Sequence, residues 1–171
     1  MVALLERAEE IYADANRMVD PTFGINVPAV YYAWLGPLYG KVAVVLPEYL
    51  PKALENEANL TTYYENTVDQ YGNRYPIIAT NLPFAYSSMA KSLYEIGGEE
   101  RHEEVRLRLD MIMQIIAEDP ALHAGQFLAR VREVGGQPES LATEHHHFLN
   151  MAELHPPFKA FLEQYGWSFT Q

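Results

Sequence analysis

The sequence predicts an all-α protein, folded as one helical domain over residues 1–171, on three observations. Apolar residues recur three and four positions apart through most of the chain, the spacing that puts them on one face of a helix. Glycine pairs and Asp-Pro or Pro-Pro dipeptides (Gly97-Gly98, Asp119-Pro120, Gly135-Gly136, Pro156-Pro157) interrupt that pattern at helix-length intervals. No Asn-Gly hairpin turn and no regular helix–strand rhythm accompanies them.

Taken in order, Leu4, Leu5, Ala8, Ile11, Tyr12, Ala15, Met18 and Val19 form the apolar stripe of a first helix, which Asp20-Pro21 ends. Pro28 sits well in the first turn of a second helix running toward Tyr39, because proline lacks an amide that the first turn leaves unused anyway. Pro37 predicts a kink or an early stop near Gly36, since its ring clashes with the preceding turn. The β-branched run Lys41 to Leu46 is read as helix, because a lone strand has no sheet to join. Pro47 opens a helix through Leu50, Leu54, Leu60, Tyr64 and Val68 to the Gly72-Asn73 turn. Pro76 to Leu82 is ambiguous, and Pro83 begins a helix with Tyr86, Met89, Ala90, Leu93 and Tyr94 on one face, stopped by Gly97-Gly98. Glu99, Glu100, Glu103 and Glu104 load the start of the next helix, where negative charge offsets the macrodipole. Val105, Leu109, Ile112, Met113 and Ile116 form its buried stripe. Further helices are predicted over 121–134, 138–154 and 157–164.

Composition narrows the chemistry. The absence of cysteine excludes disulfides, thiolate metal sites, iron–sulfur clusters and a cysteine nucleophile. Twelve basic and twenty-three acidic residues leave a net charge of −11, which repels nucleic-acid backbones and anionic lipid. The N-terminal residues lack the basic start and apolar core of a secretory signal, so a cytoplasmic location is expected. The most apolar stretch, Val27 to Leu46, contains Pro28, Pro37, two glycines and Lys41, and so is not expected to span a membrane. No glycine-rich phosphate loop and no Gly-x-Ser-x-Gly elbow occurs. A non-catalytic role is therefore expected ahead of an enzymatic one.

Tyr86-x-x-Met89-Ala90-x-x-Leu93-Tyr94, followed by Gly97 and a second amphipathic helix ending in Asp119-Pro120, resembles a tetratricopeptide-type helical pair. Tyr32-x-x-Leu35-Gly36-x-x-Tyr39 repeats the order of large, large, small and aromatic residues, and Leu128-Ala129 echoes it. In such pairs the small residue lets two helices approach closely. The separations between Gly36, Ala90 and Ala129 are unequal and exceed the family period, so only the stretch from Pro83 to Pro120 carries the resemblance specifically. The resemblance implies antiparallel helix pairs that bind a protein or peptide, alone or as a subunit of a larger assembly. The residues expected on the binding face are Tyr32, Trp34, Tyr39, Tyr64, Tyr86 and Tyr94, because tyrosine and tryptophan join an apolar body to a polar tip and dominate binding hot spots.

One rival chemistry is written in the histidines. Glu99-x-x-His102 and Glu144-x-x-His147 each place a carboxylate and an imidazole on one helical face. Two such pairs, with one more glutamate from each of two other helices (Glu10 or Glu65, and Glu118 or Glu133), are what a ferritin-like dinuclear site is built from. That alternative implies an oxidoreductase bound to iron, manganese or zinc.

Overall fold

The computed structural model describes residues 2–15, 27–66, 76–134 and 150–167. Those residues are helical throughout apart from short connections, and no strand occurs among them. The helices are α1 (Val2–Ala15), α2 (Val27–Ala43), α3 (Leu50–Asn66), α4 (Pro76–Ile96), α5 (Glu99–Glu118), α6 (Pro120–Val134) and α7 (Pro156–Gln164). A 3-10 turn, Pro47–Tyr49, leads into α3, and residues 150–154 are helical ahead of α7. No helix among the described residues is long and apolar enough to cross a membrane. The chain divides into two compact units, Met1–Ala85 and Tyr86–Gln171, and α4 runs across the division.

In the first unit α2 and α3 pack along each other. Gly36 is the close-approach point: a Cβ placed there would lie 3.5 Å from the Glu57 amide nitrogen and 3.6 Å from the Ala53 carbonyl oxygen. The core around it is made by Leu35, Tyr39, Ala53, Leu60 and Tyr64, all buried. Complete burial of a side chain such as Leu60 contributes about 1.5–3 kcal/mol. The turn after α2 closes with the Val45 and Leu46 amides donating to the Val42 carbonyl at 3.0 and 2.8 Å, so the β-branched run leaves the helix within a residue or two of Val42.

Three expectations for this unit are corrected. Pro83 does not begin a helix but lies inside α4, which starts at Pro76. Pro37 does not stop α2 near Gly36; the helix continues to Ala43 with Pro37 inside it and buried. The lost amide costs about 3 kcal/mol, and the apolar contact of Leu35, Tyr39 and Val42, all buried on either side of it, outweighs that cost. In α1 only part of the predicted stripe is buried: Leu5 is 7% exposed, but Leu4 is 76% and Ile11 56% exposed. The inward line of α1 is instead that of Leu5 and Glu9, four residues apart, and Leu4 and Ile11 lie on the adjoining face.

In the second unit, Gly97 and Gly98 end α4 with φ of +85° and +98°, the left-handed region that glycine alone enters freely. Val105, Leu109, Ile112 and Ile116 are buried along α5 as the spacing predicts, joined by Ile115 and Arg108, whereas Met113 is half-buried. Asp119 both ends α5 and caps α6, its carboxylate accepting from the Leu122 amide at 3.2 Å with Pro120 opening the helix. Ala129, read as a third small crossing residue, is exposed; the buried small residue of α6 is Ala124. Phe127 of α6 meets Phe158 and Phe161 of α7, with ring centroids 6.5 and 6.3 Å away.

Candidate binding face

Of the six aromatic residues expected on a binding face, Tyr39, Tyr64 and Tyr86 are core residues, 0%, 4% and 1% exposed. Tyr32 and Tyr94 are half-buried, and Trp34 is exposed at 42%. The first four residues in chain order, Tyr32, Trp34, Tyr39 and Tyr64, belong to the first unit; Tyr86 and Tyr94 belong to the second.

The Trp34 indole leans on Phe84, ring centroids 6.0 Å apart and planes at 59°, a tilted contact that holds it against the first unit while leaving much of its surface wet. Helical spacing sets Leu38 and Lys41 on the same line of α2 as Trp34, one and two turns on. Beyond the helix, Val45 and Leu46 are exposed at 78% and 39%. The line along α2 thus carries an exposed tryptophan, a half-buried leucine and an exposed lysine.

The same unit holds a polar node made by three helices. Lys52 of α3 pairs with Glu9 of α1, and its ammonium stands 4.9 Å from the centroid of the Tyr39 ring of α2. The Glu9 hydrogen bond holds the Lys52 ammonium above the ordinary lysine range, against the opposing pull of burial. Burial pushes the Tyr39 phenol up, and its hydroxyl is enclosed without a hydrogen-bond partner of good geometry. Tyr39 also stacks on Tyr49, centroids 6.1 Å apart with the planes within 6°. Tyr39 thus works as a packing and cation-binding surface inside the unit.

Of the residues expected to hold a metal, Glu99 is exposed in the first turn of α5, and His102 stacks on Tyr94 at 5.8 Å with planes 19° apart. Glu144 and His147 lie outside the described residues. Among the described residues, no group of three or more histidines and carboxylates is placed to hold a metal ion.

Sequence reasoning missed a set of directional contacts in the second unit. Arg106 of α5 donates through Nε to the Leu154 carbonyl at 3.2 Å, and His155 Nε2 meets the Asp110 carboxylate at 2.7 Å. Arg106 and Asp110 are four residues apart on one face of α5, so together they grip the chain on both sides of the 154–155 peptide. His123, also buried, points Nδ1 at the Ile115 carbonyl, 3.0 Å away. A signal for His155 was present: it directly precedes Pro156-Pro157, the place of a helix N-cap. Comparison with family models, with curated proteins and with solved structures finds no match to this chain.

Proposed function

We propose that the protein is a non-catalytic binding module built from tetratricopeptide-like helical pairs, which takes a protein or peptide partner, alone or as an accessory subunit of a larger assembly. The contact face is centred on Trp34. What supports the reading is the exposure of that residue: a tryptophan buttressed by Phe84 but 42% open to water, with Val45 and Leu46 exposed in the same unit. Such a residue has apolar area left to bury, and tryptophan is among the residues that dominate binding hot spots. A net charge of −11 favours a partner with an apolar or basic surface.

The test is site-specific. A photo-crosslinking benzoylphenylalanine at position 34, expressed in the cells the protein comes from, is expected to give a discrete adduct that the same group at exposed Glu163 does not give. With that partner purified, Trp34→Ala is expected to weaken binding about thirtyfold, the size of a hot-spot loss, with an unchanged helical circular dichroism spectrum. Identical adducts from both positions, or none from position 34, would overturn the proposal.

A further inference from the structure

His155 is buried, with 7% of its side chain exposed, and both ring nitrogens are engaged. The Phe158 amide donates to Nδ1 at 3.0 Å, so Nδ1 carries a lone pair. The proton of the neutral ring therefore sits on Nε2 and is donated to the Asp110 carboxylate at 2.7 Å. The cap has no substitute nearby. Pro156 and Pro157 have no amide hydrogen, so Phe158 carries the first one of α7. The carbonyl four residues before it, that of Leu154, accepts from Arg106.

We propose that His155 is a proton-operated cap: a proton arriving on Nδ1 expels the Phe158 amide and loosens the first turn of α7, while Nε2 keeps the ring tied to Asp110. Two donors then face each other where a donor met a lone pair. The Nε2–Asp110 hydrogen bond is kept through the change, now as an ion pair. Asp110 has 57% of its side chain exposed, so the pair is open to solvent protons. Of the other charged groups near the cap, those with a described partner are turned to that partner. Arg106 is bonded to Glu103 and to the Leu154 carbonyl, and Lys159 to Glu153. From α6, His123 is turned to the Ile115 carbonyl and Phe127 offers only its ring. The device sits in the second unit and does not depend on the role given to Trp34.

Amide hydrogen exchange on the full chain tests it, corrected for intrinsic rates and referenced to the amides of α2. As pH is lowered from neutral, the Phe158 amide is expected to lose about fivefold in protection, the worth of one N-cap. His155→Asn, which keeps an acceptor but cannot charge, is expected to hold its protection over the same change of pH. Nitrogen NMR of the wild-type ring is expected to show the Nε2–H form at neutral pH, and Nδ1 protonation with the same midpoint as the exchange. Equal pH dependence in wild type and His155→Asn would overturn the proposal, as would an Nδ1–H form at neutral pH or two different midpoints.

Discussion

The helices α1 and α7 stand at the two ends of the chain and are held in opposite ways. The described part of α1 buries Leu5 and leans on the Glu9–Lys52 pair, while Leu4 and Ile11 stay in water. The shorter α7 buries Phe158, Phe161 and Leu162, and is further fixed by the His155 cap. Helix length and attachment are thus decoupled: among the described side chains, α1 buries only Leu5, whereas the nine-residue α7 buries Phe158, Phe161 and Leu162. A part-exposed ion pair contributes about 0–1 kcal/mol, and a buried phenylalanine several times that. In unfolding from the ends, α1 is expected to leave first.

The largest expected effect reverses that order. Phe158 is fully buried and touches both Phe127 and Phe161, so Phe158→Ala is expected to destabilise the second unit by about 3–5 kcal/mol in denaturant titration. Amide exchange should then show α7 opening before α1. Next in size is a pair of substitutions at Gly36. An alanine Cβ there lies at ordinary contact distance from α3, whereas a leucine would force the helices apart. Gly36→Leu is expected to cost about 1–3 kcal/mol and Gly36→Ala to be neutral or to gain up to about 1 kcal/mol, both read by thermal melting. A large loss with alanine would show that α2 and α3 are closer than this geometry.

The smallest effect concerns the tie on α1 itself. Lys52 and Tyr39 both titrate above their ordinary values of 10.5 and 10.0. A group raised on folding lends stability that is complete below its unfolded value and is lost as pH climbs through the folded one. The first unit is therefore expected to weaken above roughly pH 10. In Lys52→Met the alkaline decline is expected to be shallower, with a loss at neutral pH of no more than about 1 kcal/mol. Melting points collected from pH 8 upward check both. An unchanged alkaline slope in the variant would remove Lys52 from the account.

Local signals were legible wherever one residue decides the outcome. Gly97-Gly98 stops α4 because only glycine takes its φ at no steric cost, and Asp119-Pro120 punctuates α5 and α6 for equally local reasons. The α5 stripe was legible because an apolar period of three to four needs no knowledge of a partner. Illegible were the features set by distant chain. Whether Pro37 ends α2 depends on what α3 offers it, and whether Leu4 or Leu5 turns inward depends on Lys52 meeting Glu9. The same limit applied to the aromatic residues: Tyr39 and Trp34 share one helix and one composition signal, yet one is fully buried and the other open. A histidine read for metal chemistry at His102 packs on a tyrosine, while His155 holds the bonds that pin α7.

The boundaries of α5 bear on how this chain can change over evolution. Gly98 on one side and Asp119 on the other have non-helical backbones, so a change of length inside α5 cannot slip through into a neighbouring helix. One inserted or deleted residue would turn everything downstream of it by about 100°. Placed between Arg106 and Asp110, it would set their two grips on residues 154 and 155 on different faces. Point substitutions on the outer side of α5 are open to drift, whereas its residue count is not.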